Sequence, residues 1–131
     1  MRNKYNISTS YFKAAAENPN GLSICPRTPP WYAMGRADDI MCEKSLYDLY
    51  FKKYSISQEE FYAAYVEQTL CKLDPMKVLE KYRNKVLVGY YKPGSFDCRT
   101  MFVRWIKDET GIVIPELTKE DDALSDILSF I

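Results

Sequence analysis

The sequence predicts an α/β fold: a small, mostly parallel sheet of about four strands flanked by helices, with a helical insertion between the second and third strands. Two observations carry this. Candidate strands alternate with helical patterns along most of the chain, the order from which parallel sheets with crossover helices are built. Val86-Leu87-Val88 is a continuous apolar run, as expected of a strand buried on both faces.

The elements follow in order. Lys4–Ser10 is β-branched and aromatic enough for a first strand, and a short helix is expected near Lys13–Glu17. Asn18-Pro19-Asn20-Gly21 stops it, because proline disfavours helix in the residue before it and glycine accepts positive φ. Leu22–Cys25 reads as the second strand. Three prolines in Pro26–Tyr32 then fix φ and hold Arg27 and Trp31 on a stiff loop. Residues 34–40 suggest an exposed link.

Three helices are expected next. Leu46, Leu49, Tyr50 and Tyr54 share one face of the first. Ser57-Gln58-Glu59-Glu60 is a capping box opening the second, whose apolar stripe is Tyr62, Val66, Leu70 and Leu73. Asp74-Pro75 opens the third, with Asp as N-cap and Pro at the first helical position, and Val78, Leu79 and Tyr82 on its buried side. After the central strand at Val86–Val88, a helix turns Phe102, Val103, Trp105 and Ile106 inward and ends at Gly111. Ile112-Val113-Ile114 reads as an edge strand, since Pro115 is compatible only with a strand end.

At 131 residues and 47% hydrophobic content, the chain fits one domain. Residues 1–117 are assigned to it. Residues 118–131 are expected to be an acidic amphipathic helix, packed on the domain or exposed, with Leu124, Ile127, Leu128 and Ile131 on one face. Basic and acidic side chains both number 18, so overall charge names no partner. Its distribution is uneven: nine basic residues lie between Lys72 and Lys107 against Asp74, Glu80 and Asp97.

Four scattered cysteines, no Cys-x-x-Cys pair and no histidine argue against zinc, and no cofactor is implied. Cys25, Cys42 and Cys71 read as core. The chain shows no secretory h-region and no run of about 18 apolar residues. The expectation is a cytoplasmic protein with reduced thiols and no membrane partner.

The loops leaving the carboxyl ends of parallel strands converge, and ligands usually bind there. These loops would bring together Ser10 and Tyr11 from the first strand, Arg27 and Trp31 from the second, and Tyr91, Lys92, Gly94, Ser95, Cys98 and Arg99 from the third. The amides at a helix start after Gly94, with Lys92, Arg27 and Arg99 around them, describe an anion site suited to a phosphate. Taken singly, Lys92 and Arg99 read equally well as solvated charges, and Asp97 or Ser95 as the N-cap of the helix. In the first helical turn, Cys98 would have its thiolate favoured by the dipole, Lys92 and Arg99 and opposed by Asp97, with a buried apolar thiol as the more common role of a free cysteine, and Tyr91 carries a second candidate catalytic group. Trp31 and Tyr91 are placed to stack on bases.

Ser8–Phe12, Leu22–Ile24 with Arg27 and Pro30–Tyr32, Lys72–Pro75, and Tyr91–Gly94 with Arg99 together resemble the small prokaryotic YeaO-like family, a domain of unknown function. The likeness runs to about Leu117 and implies a small α/β fold with no settled activity. Family members carry a Tyr-Glu-Lys-Pro turn and a Cys-His-Arg triplet opening the next helix. Aligned from Lys92-Pro93, Arg99 falls on the family arginine and Trp105 on a common tryptophan. Tyr91 replaces the glutamate, Asp97 the cysteine and Cys98 the histidine. The resemblance thus keeps the anion-binding groups and lacks the chemically reactive ones.

Three functions follow as expectations. The first is a non-catalytic or weakly catalytic binding protein for a phosphate-bearing small molecule or nucleic acid. The second is an enzyme using Cys98 or Tyr91 on such a ligand. The third is an interaction or inhibitor module whose residues 118–131 dock on a protein partner.

Overall fold

The computed structural model describes residues 4–117, and the expected acidic helix lies outside them. The chain is a mixed α/β domain with a three-stranded open parallel sheet. Strands β1 (Ser8–Tyr11), β2 (Gly21–Ser23) and β3 (Val86–Gly89) lie in the order β1-β3-β2. Thr9 and Leu22 both align with Leu87 across the central strand. All four residues of β3 are buried, which is why its sequence is apolar without alternation.

Five α-helices accompany the sheet: α1 (Phe12–Ala15), α2 (Lys44–Phe51), α3 (Gln58–Gln68), α4 (Pro75–Lys81) and α5 (Cys98–Thr110). Their starts follow local chemistry. The Ser57 hydroxyl accepts from the Glu60 amide at 3.1 Å while the Glu60 carboxylate accepts from the Ser57 amide at 3.0 Å. Asp74 caps α4 through the amides of Met76 and Lys77. Gly111 ends α5 at φ 76°, a conformation glycine adopts without Cβ strain.

The sheet differs from expectation at its edges. A fourth strand was expected at Ile112–Ile114, yet the described residues form three strands. Ile112 and Ile114 are buried and Val113 exposed, so the alternation is strand-like. Pairing to β1 is confined to one bridge, Thr9 with Glu116, closed by Thr9 N–H to Pro115 C=O at 2.9 Å and Leu117 N–H to Thr9 C=O at 2.8 Å. Pro115 has no N–H with which to extend the ladder. Opposite, the supposed link at residues 34–40 covers β2 through a bridge between Ser23 and Arg36 and then makes a 3-10 turn at Asp38–Ile40. The first strand starts four residues late, because Asn6 takes φ 55° and donates its side-chain amide to Asn84.

Two helix faces are also phased differently. In α2 only Leu46 and Tyr47 are buried, while Leu49 and Tyr54 face solvent, Tyr54 lying beyond the helix end. In α3 the buried pair is Phe61 and Tyr65 rather than Tyr62 and Val66. Cys71 is exposed, not core. The core joins Leu87 and Val88 of β3 to Ile24, Ile40, Phe61, Tyr65, Leu79, Phe102 and Ile106.

Candidate functional site

The chain leaving β3 turns back at Lys92–Ser95, where Gly94 has φ 88° and the Ser95 amide donates to the Lys92 carbonyl at 3.2 Å. It then enters α5 through Asp97. The Asp97 carboxylate accepts from the amides of Cys98 at 2.6 Å and Tyr91 at 2.8 Å, and from the Arg99 guanidinium. A Cβ on Gly89 would stand 2.5–2.7 Å from atoms of this carboxylate, so the strand end must be glycine for Asp97 to fit. Burial pushes the Asp97 carboxyl above its ordinary value, against the opposing pull of Arg99 and the amides.

An anion therefore sits at the start of α5, and it belongs to the protein. Arg99 has no exposed surface and turns its other nitrogens to Glu116, with two bonds of 2.9 Å. Glu116 in turn accepts from the Thr9 hydroxyl at 2.6 Å. The arginine expected to meet a ligand instead ties the β3–α5 loop to β1 and to the segment at Pro115–Leu117. Five donors on a rigid plane suit it to joining two carboxylates.

Cys98 is likewise fully buried, its sulfur 3.9 Å from that of Cys42. The neighbouring Cys25 and Cys42 thiols and burial push its pKa well above the ordinary thiol value. The structure thus makes Cys98 a core thiol, where the dipole and cations had favoured a thiolate. Burial also pushes the Tyr91 phenol up, leaving its hydroxyl neutral near pH 7.

Open space lies on the outer side of the same loop. A groove of about 510 Å³ is lined by Tyr50, Phe51, Tyr54, Ile56, Tyr91 and Phe96, with Gln58 and Ser95 as polar groups. Tyr91 stacks on Phe51 at 5.4 Å and 12° between planes, and Tyr50 meets Phe96 at 4.5 Å. Tyr91 is 37% exposed and Tyr54 83% exposed. Tyr54 takes φ 51°, a costly conformation for a large side chain. Lys52, Lys53 and Lys92, chain neighbours of the lining, are exposed.

Of the residues singled out by sequence, Tyr91 and Ser95 line the groove, and Lys92 and Gly94 form its loop. Ser10 and Tyr11 are buried in β1. Arg27 is held by Asp48 through bonds of 3.1 and 2.5 Å. Trp31 stands exposed beside Phe12. Tyr50, Phe51, Tyr54, Ile56, Gln58 and Phe96 are the lining residues sequence reasoning missed. The signal was present as Tyr50-Phe51-Lys52-Lys53-Tyr54, an aromatic and basic run that helical spacing assigned to the core.

Among the described residues no group of three or more Cys, Asp or Glu is arranged to hold a metal ion, and no helix is long and apolar enough to cross a membrane. No family model matches the chain, and neither does any curated protein or solved structure.

Proposed function

We propose that the protein binds a phosphate-bearing ligand with a planar ring, a nucleotide or nucleic acid, at the carboxyl edge of its sheet. The observation that carries this is the open aromatic groove built on the stacked Phe51–Tyr91 pair, with lysines on the same loops. The ring would stack on Tyr91 or Tyr54, since every base has a face that an aromatic side chain can cover. Its phosphate would meet Lys92 and the Ser95 hydroxyl. Arg99 and Asp97 serve indirectly, by fixing the loop that carries Tyr91 and Lys92. The role is one of binding, and Cys98, fully buried, stands out of a ligand's reach.

Kinship with the YeaO-like family is proposed on the same terms, from the motifs around Lys72–Pro75 and Lys92–Arg99. At the positions where family members carry cysteine and histidine, Asp97 and Cys98 are both buried, which favours a binding role.

Titration with nucleotides and short oligonucleotides, followed by tyrosine fluorescence, tests the reading. Wild type is expected to bind, and Tyr91→Ala with Lys92→Ala to bind at least tenfold more weakly. Equal affinity in both, or no binding by either, sinks it.

A further inference from the structure

The groove is one end of a longer feature. Tyr91 meets Tyr90 at 5.4 Å, Tyr90 meets Phe12 at 5.8 Å, and Phe12 meets Trp31 at 6.2 Å. With the Phe51–Tyr91 stack, these contacts link rings from α2 past the ends of β3 and β1 to the loop after β2, the exposed Tyr90 and Trp31 being joined through the buried Phe12. The outer rings are open: Tyr90 is 48% and Trp31 60% exposed. Phe12 is buried between them at 83° and 80° to their planes, an edge-to-face wedge that holds both rings in fixed orientation.

The composition of this series of rings indicates its occupant. A hydrophobic protein partner would favour an apolar surround. Here three of the rings lie next to exposed cations in the chain, Phe12 beside Lys13, Tyr91 beside Lys92 and Phe51 before Lys52-Lys53. Aromatic platforms with cations on the same segments suit a polymer that carries both rings and phosphates. A duplex hides its base faces, so the match is to a single strand. Several open rings in series also exceed what one nucleotide can cover.

We infer that this series of rings is a stacking track for single-stranded nucleic acid, seating successive nucleotides from the Tyr54–Tyr91 groove to Trp31. The inference rests on the nucleotide-binding reading of the groove and extends it from one ring to several. Recognition is through base faces and phosphates, so sequence preference is weak and affinity falls steeply with salt.

The test is fluorescence anisotropy on the full chain, with labelled oligothymidylates of increasing length, their RNA counterparts, a duplex and polyglutamate. The expected result is affinity that rises with length to a plateau and binding of the duplex and polyglutamate at least tenfold weaker. Trp31→Ala should weaken the longest strand about tenfold or more, the scale of one lost stacked base, with Trp31→Phe retaining most of it. Met76→Ala, an exposed apolar residue on α4, is the control and should change nothing. Circular dichroism confirms that each variant is folded. Mononucleotide affinity equal to that of the longest strand would overturn the track and leave the groove reading standing. So would polyglutamate binding as tight, or no effect of Trp31→Ala. Absence of binding to any nucleotide or strand overturns both.

Discussion

Asp97 decides what the start of α5 can do. Two amides and a guanidinium converge there, and the aspartate's own carboxylate fills the position. Lysine, glycine and arginine drew attention to this helix start, but Lys92 is exposed, Arg27 is held by Asp48, and Arg99 meets the protein's own carboxylates. Asp97 was legible as a candidate N-cap, but its further bonds were not, because the Tyr91 amide reaches Asp97 only after the Lys92–Ser95 turn folds the chain back. Removing one partner of a buried pair leaves the other charge uncompensated, at a cost of about 3–5 kcal/mol. Asp97→Gly is therefore expected to lower the urea midpoint strongly. It would also leave a cavity lined by donors, so formate should restore stability in a concentration-dependent way, as any ligand binding only the native state must. Free glycine, larger and zwitterionic near pH 7, should rescue less. If formate stabilises wild type and variant equally, the carboxylate is not occupying an anion site.

Local signals survived translation into structure better than periodic ones. Both N-caps, at Ser57 and Asp74, and the Gly111 terminus were legible because each depends on residues within one turn. The phase of α3 was not, since Phe61–Tyr65 and Tyr62–Val66 are both apolar pairs four residues apart and spacing cannot choose between them. Helix α2 shows why the groove was hidden. The Leu46, Leu49, Tyr50, Tyr54 spacing assumed a helix continuing to Tyr54. The chain instead closes early, with the Lys52 and Lys53 amides on the Asp48 carbonyl and the Ser55 amide on that of Leu49. Tyr54 is thereby thrown into the left-handed region and out to solvent. Glycine or asparagine would serve this position at lower conformational cost. Tyr54→Gly should leave stability unchanged or raise it by up to about 1 kcal/mol, while weakening oligonucleotide binding. A less stable variant with unaltered binding would show that the ring is a packing residue and no part of the site.

Over the whole domain, long-range contacts close what local sequence leaves open. Both sheet edges are covered by single bridges from distant segments, at Arg36 and Glu116, and neither pairing has a sequence signature. The continuous apolar run of β3 was legible as the centre because burial on both faces is written in its composition. The tyrosines show a similar division between what composition says and what placement does. Tyr32, Tyr47, Tyr62, Tyr65 and Tyr82 all have phenols pushed up chiefly by burial, Tyr32 and Tyr62 to about 12. A tyrosine in the unfolded chain ionises at about 10. Below that pH both states keep these protons and stability does not depend on them. Between pH 10 and 12 the unfolded chain releases protons that the native state retains, so stability falls as pH rises. The stabilisation is thus present below the unfolded value and lost above it. Tyr32 isolates the effect, because its buried hydroxyl has no hydrogen-bond partner among the described residues. Its oxygen also stands 2.3 Å from where a Cβ on Gly21 would lie. Tyr32→Phe removes an unsatisfied polar atom and should raise stability by about 1 kcal/mol at pH 7. It should also reduce the alkaline loss, both read from urea midpoints between pH 7 and about 11. A destabilised variant with an unchanged alkaline slope would mean that the hydroxyl is satisfied and ionises like an exposed phenol.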